Sequence, residues 1–246
     1  MRIVGWNIRA GGGRRINTIA AQLAEWQPDI VALSEFRATP PSISLAETLS
    51  KQGLSHQLTT ADPKHPARNA LLIGSRWPIH PIPVRGLPRP RHRVLPVVVD
   101  AEIEFSVIAV YGPLGVTGLR RPFNSRLLTI IKRWHHAPGM LIGDTNTGKR
   151  EIDEESPVFD ARDDTFMAGM DSDGWPDTFR HLYGDRREYT WYSPNKGNGF
   201  RLDQAFAHKS VLPRVEQVTY VWARDGSSRR DAVSDHAAIV VDVANS

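Results

Sequence analysis

The chain has no cysteine among its 246 residues. This excludes disulfides, thiolate nucleophiles and sulfur-based zinc sites, and it favours a reducing compartment. Long apolar runs are missing too: nothing approaches the ~18 consecutive apolar residues of a membrane-spanning helix. The opening MRIVGWNIR lacks the charged leader, the roughly 7–15-residue apolar core and the small-residue cleavage site of a secretory signal. A soluble, cytoplasmic protein is expected, with no membrane partner. No segment is of low complexity and no shift in composition divides the chain, so residues 1–246 are expected to form a single domain.

What is present is positive charge, unevenly placed. The formal net charge is only +4, yet the basic residues cluster. One cluster runs through Lys64, Arg68, Arg76, Arg85, Arg89, Arg91 and Arg93, with His65, His80 and His92 between them. A second holds Arg120, Arg121, Arg126, Lys132 and Arg133. Such surfaces attract polyanions, although a merely solubilising surface has the same composition.

Arg2 to Ile8 reads as a strand that ends at Asn7 and runs into Gly11–Gly13. Ile16, Ile19, Ala20, Leu23 and Trp26 recur at helical spacing before Pro28, and the apolar run Ile30–Leu33 then delivers Glu35. A helix over Leu45–Lys51 and strands over Ser55–Thr60 and Asn69–Gly74 follow. The proline-dense run from Trp77 to Pro96 argues for an extended segment. Val94–Asp100 and Ile103–Tyr111 then form an antiparallel pair ending at Tyr111. A helix carrying Phe123, Leu127, Leu128, Ile130, Ile131 and Trp134 leads into the strand MLIGDTNT, Met140–Thr147, repeating the helix-then-strand plan that leads to Glu35. Acidic residues Glu151, Asp153, Glu154 and Glu155 are expected to open a helical region reaching about Met170. Strands are expected over Phe200–Ala207, Val215–Trp222 and Ala237–Val243, the last directly after Ser234, Asp235 and His236. Antiparallel pairs with few helices imply an α+β fold, a four-layer α/β/β/α sandwich of two packed mixed β-sheets.

Polar groups thus fall at the ends of five apolar runs: Asn7, Glu35, Asp144 with Asn146, Asp203, and Asp235 with His236. Each alone is an ordinary turn former or cap; together they make a hard, oxygen-rich site suited to Mg2+, with Mn2+ as the alternative. Two rival motifs fail on their chemistry. GDTNTGK at Gly143–Lys149 nearly fits a phosphate loop, but Arg150 stands where a metal-binding hydroxyl belongs and Asp144 would repel phosphate. Ser234, Asp235 and His236 are adjacent in sequence, which a nucleophile relay does not allow, and no nucleophile elbow is present.

The segments GWNIR, ALSEF, VYGP, LIGDTNT, YTWYSP, GFRLDQAF and SDHAAI, in this order across almost the whole chain, resemble the endonuclease/exonuclease/phosphatase superfamily, which includes exonuclease III, AP endonucleases, DNase I and inositol-polyphosphate phosphatases. The resemblance implies the same four-layer sandwich and metal-assisted attack of water on a phosphate ester. It makes Glu35 the principal metal ligand, with Asn7 beside it and Asp235 helping to hold metal or water. Asp144 matches the residue that activates the attacking water, Asn146 and Tyr111 the phosphate contacts, and His236, oriented by Asp203, the stabiliser of charge on phosphorus. Arg9, Arg120 and Arg121 are candidate substrate contacts. Trp191 matches a sugar-pocket aromatic, and as a Trp flanked by Tyr189 and Tyr192 it suits plain core packing at least as well. Arg9, Leu114 and Thr117 depart from the AP endonuclease pattern, and Tyr111 stands where DNase I-like enzymes have His. A nuclease acting on DNA is favoured. A phosphatase of inositol or other small phosphates and a non-catalytic nucleic-acid-binding protein are the alternatives.

Overall fold

The computed structural model describes residues 1–102, 104–222 and 233–244. In chain order the strands of the first half are β1 (Arg2–Asn7), β2 (Ile30–Phe36), β3 (His56–Thr59), β4 (Ala70–Ser75), β5 (Ile79–Pro81), β6 (Val94–Val99) and β7 (Phe105–Tyr111). They are followed by β8 (Gly139–Asp144), β9 (Trp191–Tyr192), β10 (Gly199–Phe200), β11 (Asp203–Ala207), β12 (Val215–Val221) and β13 (Ala238–Val243). One sheet has the order β12-β13-β1-β2-β4-β3 and the other β11-β8-β7-β6-β5, while β9 and β10 pair in a short hairpin. Both large sheets are mixed: β1 runs parallel to β2, β7 parallel to β8, and the remaining pairs are antiparallel.

The core explains the layers. Alternate residues such as Ile3, Ile73, Val97, Val107, Ile142 and Ile239 fill the space between the sheets. Their neighbours on the outer face of the first sheet, Val4, Trp6, Val31 and Leu33, pack against α1 (Ile16–Trp26) and α2 (Pro40–Lys51). On the outer face of the second sheet, Ile108, Val110, Leu141 and Phe206 pack against α3 (Arg120–Lys132) and α4 (Ala161–Ser172). Period-2 apolar patterning on both faces of a strand needs a layer on each side, and the result is the expected α/β/β/α sandwich. The sheets approach most closely where β1 crosses β8: a Cβ on Gly5 would lie 2.7 Å from Ile142 Cγ1. No helix among the described residues is long and apolar enough to cross a membrane.

Several boundaries move from their sequence expectations. α2 begins at Pro40 rather than Leu45, because the first turn of a helix tolerates proline. Glu151 to Glu155 do not open a helix. Asp153 and Glu154 are buried and turn their carboxylates onto Arg201 and onto the amides of Val158 and Phe159. The helix itself, α4, starts ten residues later behind an Asp160/Asp163 capping box. The strand expected over Phe200–Ala207 is broken, since Arg201 leaves the ladder and its amide donates to Asp153 O at 2.9 Å. The strand expected from Ile103 begins at Phe105 among the described residues, and Ile103 lies outside them.

Candidate active site

The topology brings six strand termini to one end of the sandwich. Asn7 and Ser34 are register partners at the ends of the parallel β1 and β2, and Tyr111 and Asp144 are partners at the ends of β7 and β8. Asp203 begins β11 opposite Asp144, and His236 precedes β13, which runs antiparallel to β1. Asn7, Glu35 and His236 therefore come from the first sheet, and Tyr111, Asp144 and Asp203 from the second.

Each of the first three meets one of the second across the gap. Asn7 Nδ2 donates to Asp144 Oδ2 at 3.0 Å, the Tyr111 hydroxyl donates to Glu35 Oε1 at 3.1 Å, and His236 Nδ1 lies 2.8 Å from Asp203 Oδ2. A weaker contact of 3.3 Å from Asn7 Nδ2 to Glu35 Oε1 joins the first two pairs.

Glu35 reaches the site through a local irregularity. The ladder between β2 and β4 shifts register between Ser34 and Phe36, and Glu35 has a left-handed φ of 60°. A β-bulge re-aims a side chain in this way. Its Oε2 accepts the Ala10 amide at 2.7 Å. Asp144 sits after Gly143, and its Oδ1 accepts the Asn146 amide at 3.0 Å, an Asx turn that orients the carboxylate. Asn146 Nδ2 donates to Gly112 O at 2.9 Å.

Burial sets the protonation states. It pushes the Asp144 carboxyl up to about 7, with the His236 charge opposing and the Asp203 charge reinforcing. Burial alone would lower His236, but Asp203 outweighs it through charge and hydrogen bond, raising the imidazole to about 10. His236 is thus an imidazolium at neutral pH. Burial, then the charges of Glu35 and Asp144, keep the Tyr111 phenol protonated and able to donate.

The donor set fits a hard divalent cation. Three carboxylates converge against one imidazolium, and the oxygens of Asp144 and Asp203 and a His236 nitrogen all lie within 4.8 Å of one another. Asp203 Oδ1 is buried and has no hydrogen-bond partner among the described residues, a spare acceptor of the kind that a cation or its water satisfies.

The other residues singled out in the sequence lie around this centre. Asp235 is half-exposed, 3.9 Å from Arg9 Nε, and is not hydrogen-bonded to the cluster. Trp191 forms an isolated β-bridge with His236, with the rings 6.4 Å apart. Arg120 is committed to Asp163 at 3.0 Å and to Asn146 O at 2.9 Å, while the exposed Arg121 pairs with Asp160 at 2.8 Å. Two residues have roles here that the sequence reading did not assign to them. Arg93 stacks 4.1 Å over the Tyr111 ring and donates to Gly112 O at 3.0 Å, a placement that nothing in a proline-rich stretch announces. Arg201 is fully buried and paired with Asp153 and Asp177. An arginine between Phe200 and Leu202 was its available signal, because a cation in an apolar run demands buried partners.

Against known proteins, residues 4–236 match the model of the endonuclease/exonuclease/phosphatase family. The chain belongs to this family. Exodeoxyribonucleases of two Streptococcus pneumoniae strains are 24% identical to it over 284 aligned positions, covering 99% of each chain. Among solved structures, a 3′ phosphatase from Neisseria bound to a product DNA hairpin superimposes with a TM-score of 0.82 at 19% identity, over 100% of both chains. An AP endonuclease from Archaeoglobus fulgidus gives 0.81 at 19% identity with the same coverage. These two solved structures share the fold described above.

Proposed function

We propose that this family member is a divalent-metal-dependent phosphoesterase that hydrolyses phosphodiester bonds in DNA by in-line attack of water. The observation that carries this reading is the set of three cross-sheet pairs, Asn7 with Asp144, Tyr111 with Glu35, and His236 with Asp203. They gather a base, an acid and a surplus of negative charge in one buried spot.

Asp144 is suited to take a proton from the attacking water, since its Asx turn and the Asn7 amide hold the carboxylate in one orientation at the centre of the cluster. The His236 imidazolium, held in one orientation by Asp203, presents its other ring N–H to the phosphoryl oxygen that gains charge. The Tyr111 phenol donates its proton to Glu35 and so fixes that carboxylate, and Arg93 keeps the Tyr111 ring from turning. Asn7 separates Glu35 from Asp144 and damps their repulsion. Glu35, Asp144 and the spare oxygen of Asp203 would hold Mg2+, which when bound supplies Lewis-acid polarisation of the phosphoryl oxygen. Asp235, Arg9, Trp191 and Arg121 ring this centre and are suited to substrate contacts, and Arg120 acts through Asn146.

DNA is favoured by the basic loops that share this end of the sandwich. Arg9, Arg14 and Arg15 follow β1, Arg37 follows β2, Arg68 precedes β4, and Arg91 and Arg93 precede β6. A second reading, release of a 3′ phosphate from a DNA end, draws on the Neisseria 3′ phosphatase noted above. The test is turnover with Mg2+ on abasic duplex, intact duplex, 3′-phosphorylated duplex, single-stranded DNA, RNA and inositol phosphates, with and without chelator. Cleavage of DNA that chelation abolishes, and that falls by about 10²–10⁴ in Asp144→Asn and His236→Ala, is expected. Turnover of inositol phosphates alone, or tight DNA binding without turnover, would overturn the proposal.

A further inference from the structure

We infer that the protein has a second anion site, remote from the cross-sheet cluster, that takes a nucleoside 5′-phosphate. A cavity of about 370 Å³ opens where the last turns of α3 meet the loop after β5 and the segment leading into β8. That is the end of β8 away from Asp144. The inference does not rest on the phosphoesterase reading.

The wall of this cavity carries one sign of charge. Arg85, Arg126 and Arg133 line it together with His135 and His136, and the remaining lining residues are apolar or neutral, with no carboxylate among them. None of the three arginines forms an ion pair among the described residues. The larger cavity of about 710 Å³ beside α4 differs in this respect. There the cations are already neutralised, Arg150 by Asp164 at 2.5 Å and Lys149 by Asp185 at 3.6 Å. Three unpaired guanidinium groups repel one another, and a bound anion removes that cost.

The seat is built rather than a loose gathering of surface chains. Arg126 Nε donates to Gly86 O at 2.5 Å, and its guanidinium lies so close over Gly86 that a Cβ there would fall 1.7 Å from Nη2. A side chain at position 86 would push the guanidinium aside, and the φ of 73° there favours glycine as well. Guanidinium groups bind phosphate through two parallel N–H donors, a geometry that a halide cannot match. The neighbouring wall is aromatic: the His136 ring stands 5.0 Å from Trp134 and 4.3 Å from His135, and Trp134 is fixed by its Nε1–H to Ala137 O at 3.1 Å. Flat rings beside a phosphate seat suit a nucleobase, whose stacking contributes about 1–3 kcal/mol. The volume suits a single nucleotide, at the small end of the roughly 300–1,000 Å³ range of ligand pockets.

The nucleotide has two possible sources, a free mononucleotide or the phosphorylated end of a strand. Calorimetric titration in chelator separates them, using Asp144→Asn and the same protein with Arg85→Gln and Arg133→Gln added. Both arginines are exposed, so the fold is expected to survive. The probes are dAMP, inorganic phosphate, deoxyadenosine and a 5′-phosphorylated trinucleotide. Saturable binding of dAMP that weakens about tenfold or more in the arginine variant, with both phosphate and deoxyadenosine binding more weakly than dAMP, supports the site. Tighter binding of the trinucleotide than of dAMP would assign it to strand ends, and the reverse to free nucleotide. Equal dAMP affinity in the two proteins, or no saturable heat at millimolar dAMP, would overturn it.

Discussion

Arg201 is fully buried, yet it carries a full charge. Its Nε and Nη2 donate to Asp153 at 2.7 and 2.9 Å, and Nη2 also donates to Asp177 at 2.6 Å. A second cation, Arg180, completes the group on Asp153. Breaking such a buried set by removing one partner typically costs about 3–5 kcal/mol, because the others remain charged and dry. Arg201→Met is therefore expected to lower unfolding free energy by about that amount in urea melts. It should also reduce activity, since the hydroxyl of Tyr220, 3.2 Å from Arg201, donates to Asp203 O at 3.1 Å and ties this group to the candidate site. The same group sets an acid limit. Burial alone would raise the Asp153 carboxyl, but Arg201 and Arg180 outweigh it and hold it below its ordinary 3.8. A depressed carboxyl contributes stability that is complete above the ordinary value and is lost as pH falls through the folded one. Stability should accordingly fall on acidification below about pH 4, and Asp153→Asn should be less stable at neutral pH with a shallower acid slope.

At the scale of the elements, strand ends do the positioning, and two backbone features aim them. The bulge at Glu35 holds a non-glycine residue in left-handed space, a strain of about 1–2 kcal/mol. Glu35→Gly should therefore be more stable than Glu35→Ala by roughly 1 kcal/mol, while both lose activity. A melting series paired with the cleavage assay reads both effects. Gly143 has φ 143°, and a Cβ there would sit 2.1 Å from Val110 O. Gly143→Ala is expected to force β8 away from β7, lowering the melting temperature and displacing Asp144. Much of this was legible in the sequence. Glu35, Asp144 and Asp203 stand where apolar runs stop, and a buried strand that ends in a carboxylate signals a site. The repeated helix-then-strand plan surfaces as the two parallel pairs, β1 with β2 and β7 with β8. The pairing across the gap was not legible, because partners such as Asn7 and Asp144 are 137 residues apart. Nor was the loop before α4: its acidic residues have helix-start composition, but they are spent on Arg201 and on loop amides, contacts that only tertiary structure creates.

For the whole molecule, charge is sorted by end. Arg9, Arg14, Arg15, Arg37, Arg68, Arg91 and Arg93 lie in the loops around the candidate active site, while Arg85, Arg126 and Arg133 line the cavity at the other end of β8. A DNA strand crossing the site would displace counterions from several of the first group. KM for DNA should then rise steeply with salt while kcat changes little, and Arg14→Gln or Arg91→Gln should each lower the log–log slope by about one. Neither substitution should alter the calorimetric signal of the distant cavity.

The order of synthesis bears on when this site can exist. β1 precedes every other described strand in the chain, yet one of its two neighbours is β13, and the amino group of Met1 donates to Val243 O at 2.7 Å across a separation of 242 residues. The first sheet stays incomplete, with β1 an open edge, until β13 has been translated. His236, which directly precedes β13, arrives at the same moment. A chain still on the ribosome therefore holds Glu35 and Asp144 but lacks the imidazolium opposite them, so hydrolytic competence and the closing of the sheet should appear together in a refolding experiment.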